Sequence, residues 1–195
     1  MQRRPLADRL RPTSFSEVAG QRHLLGEGGA LAAMIERGYL PNMIFWGPPG
    51  TGKTTVAGLI AARSGMTLHR LNATSASTQD VKDVIAESGT LLGSAGTLLY
   101  LDEIQYFNKK QQQTLLESLE SGSVTLIAST TENPYMYVYN ALISRSVVFE
   151  FRSLAPEEIS GVLLRGLGEL NGEQCGSAVA PTVHDGESYD AAGGE

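Results

Sequence analysis

Two short stretches of this chain carry residue types that do chemistry. The first is FWGPPGTGKTT, in which Gly47-x-x-x-x-Gly52-Lys53-Thr54 sets two glycines, a lysine and a hydroxyl at fixed offsets. Glycines so placed let backbone N–H groups turn inward around an anion, and a helix opening there adds positive potential. Lys53 has the reach for the outer phosphates of a nucleoside triphosphate such as ATP, and the Thr54 hydroxyl is a suitable ligand for Mg2+. The candidate phosphate-binding residues are Gly47, Pro48, Pro49, Gly50, Thr51, Gly52, Lys53, Thr54 and Thr55. The second stretch is TLLYLDE, where an apolar run ends in two adjacent carboxylates, Asp102 and Glu103. Like charges side by side at the rim of a core are costly unless a cation or a reaction uses them. Asp102 is the candidate to hold a metal's water shell, and Glu103 to polarise an attacking water.

These residues meet only if the right elements carry them. Short apolar runs at Met43–Trp46, Thr67–Leu71, Thr97–Leu101, Val124–Ser129 and Val147–Phe151 predict strands covered on both faces. Helical patterns fall between them, over Gly29–Arg37, Lys53–Ser64, Thr78–Ser88 and Lys109–Glu120. Asn108 is a plausible N-cap for the last, which puts Leu115, Leu116 and Leu119 on one face. A further helix starts at Pro156, with acids in its first turn, and runs to about Gly168. The alternation predicts an α/β fold of three layers around a parallel five-stranded sheet. In such a sheet ligands bind at the carboxyl ends of the strands, where Gly47 and Asp102 both fall.

Composition narrows the class. Of 195 residues, 42% are hydrophobic and 18% charged, an ordinary balance for a globular domain. No apolar run is long enough for a membrane span, and the start has no secretory pattern. Cys175 is the only cysteine, so no intramolecular disulfide forms, and a reduced cytoplasmic setting is expected. His23, His69 and His184 are scattered and suggest no metal site. The net charge of −6 arises entirely after Arg165, where six acids meet no Lys or Arg. The first 22 residues hold five arginines against two acids, too small an excess to announce a nucleic-acid binder. After Leu170 the chain turns rich in Gly, Ser and acids. The tyrosines of YMYVYN are of a type that stacks on bases, but a packed or partly exposed helix entry describes them as well.

The motifs GPPGTGKTT, LLYLDE and TTENP…ISRS together resemble the AAA+ ATPases, in their clamp-loader branch. The N-terminal PLADRLRPTSFSEVAGQRHLLGEGGAL, with GYLPNMIFWGPPGTGKTT, is similar to one group, the replication-associated recombination protein A family, whose eukaryotic relatives include the Werner-helicase-interacting protein. The resemblance spans Pro5 to Ile159. It implies a P-loop core over 23–153, an arm over 1–22 that packs on the nucleotide base, and the beginning of a helical lid domain over 154–195. Arg11, Pro12, Val18 and Gln21 are the implied base contacts. Asn133, twelve residues before Arg145, is the implied polar sensor that helps Glu103 align water, with Thr131 as runner-up. Arg145 is the implied arginine finger, reaching a neighbouring subunit's site. The family implies action on DNA in replication-fork maintenance, recombination and repair, self-association into a ring or tetramer, and contact with single-strand-binding protein and the replication machinery.

Two departures stand out. Many members carry His-Arg after the DEI segment, where this chain has Gln105-Tyr106. The ending YDAAGGE looks like the approach to the helix of the sensor-2 arginine, so a fragment of a longer protein is expected. Three rival functions stay open: a clamp-loader subunit, a nucleotide-binding structural subunit that does not hydrolyse, and a small-molecule kinase. Glu103 and the polar sensor argue against the second. For the third, neither an acceptor pocket nor a cationic lid is evident.

Overall fold

The computed structural model describes residues 5–88, 96–120, 122 and 124–175. Five strands form one parallel sheet: β1 (Met43–Trp46), β2 (Thr67–Asn72), β3 (Thr97–Asp102), β4 (Thr125–Thr130) and β5 (Val147–Glu150), in the order β2-β3-β4-β1-β5. Helices α1 (Leu6–Arg9), α2 (Arg22–Leu25) and α3 (Ala30–Glu36) precede β1, and α4 (Lys53–Ser64), α5 (Thr78–Ser88) and α6 (Lys109–Glu120) follow β1, β2 and β3. The short α7 (Pro134–Tyr137) and α8 (Asn140–Ile143) lie between β4 and β5, and α9 (Pro156–Cys175) ends the described chain.

Alternation along the strands sorts the core into two layers. Met43, Phe45, Leu98, Tyr100, Ile127 and Phe149 face α3 and α4, whose Leu31, Val56 and Ile60 are buried against them. Ile44, Leu99, Leu101, Leu126 and Ala128 face the opposite side, with Val81 and Val84 of α5, Leu115 of α6 and Leu142 of α8. This is the expected three-layer sheet. One expectation needs correction: β2 is an edge strand whose Thr67, Arg70 and Asn72 are exposed, so it is not covered on both faces. An edge strand with charged and polar side chains is the usual defence against pairing with another chain.

The helix ends follow local chemistry. Asn108 accepts from the Gln111 N–H at 3.0 Å while Gln111 Oε1 accepts from the Asn108 N–H, a reciprocal cap that opens α6. Ser77 and Asp80 do the same for α5, and the Asp80 carboxyl is held below its usual range first by the Ser77 N–H. Glu158 accepts from the Ala155 N–H at 2.9 Å and fixes the start of α9. That helix runs past the expected Gly168, because the residues after Leu170 keep turning to Cys175. The acidic tail beyond Cys175, with His184, and Arg3 and Arg4 of the arm lie outside the described residues. Among the described residues no helix is long and apolar enough to cross a membrane.

Candidate active site

The phosphate loop joins β1 to α4, and its shape is set by where a side chain cannot go. Gly47 has φ +142, and a Cβ there would lie 2.0 Å from the Phe151 carbonyl oxygen. Gly52, at φ +95, is the N-cap of α4 and so turns the loop's N–H groups toward the helix entrance. Inside the loop, Lys53 donates to the Gly47 and Pro48 carbonyls at 2.7 and 2.8 Å, and Thr51 Oγ1 donates to Pro48 O at 2.9 Å. Burial pushes the Lys53 ammonium below its ordinary pKa, and the nearby carboxylates of Glu103 and Asp102 oppose that shift.

A cavity of about 310 Å3 opens at the carboxyl ends of the strands, lined by Pro49 to Thr55, Asp102, Glu103 and Thr131. The loop and the acid pair, roughly fifty residues apart in sequence, therefore share one site. Glu103 sits in the left-handed region at φ +56, rare for a residue with a side chain. Its Oε2 accepts from Gln105 Nε2 at 2.5 Å and from Thr131 Oγ1 at 3.4 Å. Gln105 thus acts on the acid it follows, and its own Oε1 is buried without a partner among the described residues.

Sequence reasoning passed over the residue that links the loop to the acids. The Tyr100 hydroxyl lies 3.0 Å from Thr54 Oγ1, 2.9 Å from Ser129 Oγ and 3.2 Å from Asp102 Oδ1. Ser129 in turn donates a short hydrogen bond to Asp102 Oδ1. Burial raises the Tyr100 phenol to about 12 against hydrogen bonds from its hydroxyl neighbours. The available signal was a tyrosine two residues before Asp102, hence on the same face of a leucine-rich strand, where a buried hydroxyl needs partners.

The remaining expectations divide. Asn133 Oδ1 accepts from the Tyr135 N–H at 3.0 Å and caps α7, as an Asn-Pro turn favours, and Asn133 is not among the residues that line the cavity. Thr131, the runner-up, stands at the acid instead. Arg145 lies on the surface, 2.9 Å from Glu120 at the end of α6. The arm does meet the loop. Gln21, 4% exposed, donates to Arg152 O at 2.7 Å and to Thr51 O at 3.3 Å, and accepts from Arg152 N at 3.0 Å. Its amide is thereby committed to backbone. Val18 is one wall of a second cavity, of about 390 Å3, that also takes in Phe15, Gly20, Leu25, Val162 and Arg165. Arg11 and Pro12 do not line it, because the wall begins at Phe15.

Comparison with known proteins agrees with this geometry. Residues 43–154 match the ATPase family associated with various cellular activities (AAA). The chain is 42% identical over 173 residues to replication-associated recombination protein A of Haemophilus influenzae, covering 85% of this chain and 39% of that protein. It is 41% identical over 165 residues to the Escherichia coli protein of the same name, covering 84% and 37%. To the ATPase WRNIP1 of Dictyostelium discoideum it is 38% identical, covering 84% of this chain and 19% of the relative. The chain thus spans about two fifths of the length of these bacterial relatives. Among solved structures, the Thermotoga maritima RuvB Holliday junction branch migration motor superposes with TM-score 0.68 at 25% identity, covering 83% of this chain and 55% of that one. With its nucleotide-binding loop, its acid pair and a five-stranded sheet in the order 2-3-4-1-5, this chain belongs to the AAA ATPase family.

Proposed function

We propose that this chain is the ATPase core of a DNA-acting subunit of the replication-associated recombination protein A kind, working in the cytoplasm with Mg2+ and ATP. What carries the reading is the meeting of Lys53, Thr54, Asp102 and Glu103 around one cavity. The donor set fits a magnesium ion. Thr54 and Asp102 offer hard oxygens, and among the described residues no group of three or more His, Cys, Asp or Glu is clustered to hold a metal unaided. That is expected of an ion that takes most of its ligands from water and phosphate. When bound, the ion neutralises charge on the phosphates.

The protein's own residues supply the rest. Lys53 exchanges its two carbonyl partners for phosphate oxygens, and the N–H groups before α4 cradle the anion. Glu103, held at Oε2 by Gln105 and Thr131, keeps Oε1 for the attacking water. The polar sensor role falls to Thr131 rather than Asn133. The cavity walled by Phe15, Val18 and Leu25 suits the base: a Cβ on Gly52 would lie 3.8 Å from Val18 Cγ1, so it adjoins the phosphate loop. In this reading Arg145, exposed on the surface beside Glu120, serves a neighbour in a ring or tetramer.

The names of the relatives support recombination and replication as the setting, and the likeness to a branch migration motor supports a DNA substrate. Single-strand-binding protein and the replication machinery are the partners this reading suggests. The test is calorimetric titration of ATP into the wild-type chain and into Lys53→Ala. Wild type binds and the variant shows no saturable binding while keeping its circular dichroism spectrum. Equal affinities would remove the loop assignment.

A further inference from the structure

Tyr100 is 2% exposed in a strand where its neighbours Leu98, Leu99 and Leu101 are aliphatic. A phenylalanine would fill the same volume, so packing does not explain the hydroxyl. Three elements converge on that oxygen: Thr54 at the second position of α4, Ser129 of β4 and Asp102 at the end of β3. Ser129 and Asp102 stand side by side, one step beyond the Leu101–Ala128 register pair, and Ser129 is 0% exposed.

The direction of every hydrogen bond in this group follows from its one obligate acceptor. A carboxylate accepts and does not donate. Ser129 gives its proton to Asp102 Oδ1 in the shorter of the two contacts there. Tyr100 therefore gives its single proton to Ser129 Oγ, or in its longer contact to Asp102. Either way that proton points away from α4. With the phenol proton so placed, Thr54, 3.0 Å from the phenol oxygen, is the donor in its contact with Tyr100. Its hydroxyl proton is then taken up by the phenol oxygen, which leaves the Oγ1 lone pairs for another ligand.

We infer that Tyr100 is a positioning residue for the divalent cation: it fixes the Thr54 hydroxyl as a pure oxygen donor and ties that donor to Asp102. The inference rests on the Mg2+–ATP reading above and adds a residue to it. A cation needs an oxygen lone pair, and a threonine whose proton is free to rotate toward the metal must first reorient. With phenylalanine at position 100 the proton has no fixed acceptor, and Thr54 and Asp102 are no longer connected.

The experiment measures ATP affinity twice for each protein, with Mg2+ and with EDTA, in wild type, Tyr100→Phe, Thr54→Ala and the double variant. Wild type binds ATP more tightly with Mg2+. In Tyr100→Phe that tightening falls about three- to tenfold, the effect of losing one hydrogen bond, while the affinity in EDTA holds. In the Thr54→Ala background the second substitution changes nothing further, because the effect runs through Thr54. Mn2+ in place of Mg2+, counted by its electron paramagnetic resonance signal, gives the same order without reference to turnover. Wild-type Mg2+ tightening in Tyr100→Phe, equal losses with and without metal, or an undiminished effect on top of Thr54→Ala would each overturn the inference. Absence of ATP binding in wild type would instead overturn the reading beneath it, and this inference with it.

Discussion

Lys53 and Glu103 are both held by neighbours whose hydrogen bonds matter more than their position in sequence. The lysine grips two carbonyls of its own loop in a partly desolvated pocket that disfavours its charge. A triphosphate relieves that by offering charged acceptors, which make the stronger hydrogen bonds. In the reading proposed above Glu103 has a different task, taking a proton from the attacking water. Glu103→Gln keeps the size and the contact with Thr131, so ATP affinity stays within a few-fold of wild type. Phosphate release slows by about a hundredfold or more, the usual contribution of a positioned base. Normal turnover in that variant would move the base elsewhere. The spacing from Gly47 to Thr54 and the Asp102-Glu103 pair were legible because local sequence alone builds them. The links from Tyr100 to Thr54 and Ser129 were not, nor was that from Gln105 to Thr131, since those partners come from elements that sequence order does not bring together.

Among elements, the arm and the end of β5 are joined through a single buried amide. Gln21→Ala removes its three hydrogen bonds to Thr51 and Arg152 and leaves backbone groups unpaired. The expected cost is about 1–3 kcal/mol, read as a lower denaturant midpoint. A weaker ATP affinity should accompany it, because Thr51 belongs to the loop. An unchanged midpoint would mean that the arm is not docked in solution. Gly47→Ala is harsher, since its Cβ would collide with the Phe151 backbone, and a loss of soluble folded protein is expected in a purification trial. The five strands were readable as apolar runs to within a residue or so at most ends. The four-residue helices α1, α2, α7 and α8 escaped, because one turn is too short to show a period of 3.6. The exposed face of β2 escaped too, since strand order decides which strand is the edge, and order is set by crossovers rather than by composition.

At the scale of the whole molecule, Arg145 supplies no wall of the cavity at the strand ends. Its pair with Glu120 is on the surface, so Arg145→Ala should alter stability by less than about 1 kcal/mol. If its guanidinium serves a neighbour, turnover in the full-length assembly should fall sharply all the same. Mixing Arg145→Ala subunits with Glu103→Gln subunits should restore part of the activity, because one supplies an intact site and the other an intact finger. No recovery on mixing would refute the role in trans. On α9, Ile159, Leu163, Leu164, Leu167 and Leu170 are exposed, so this face adds an apolar patch to the surface. The sheet order has one last consequence. β4 lies between β1 and β3, so the strand that ends at Thr130 is wedged between the strands that carry the phosphate loop and the acids, and Thr131 just beyond it stands only fourteen residues before Arg145. If Arg145 serves a neighbour, α7 and α8 are what lies in the chain between the wedge and that residue, a short route from the fuel in one subunit to the trigger it offers the next. Amide hydrogen exchange over residues 131–146 should therefore slow when ATP binds, and an unchanged rate there would break that link.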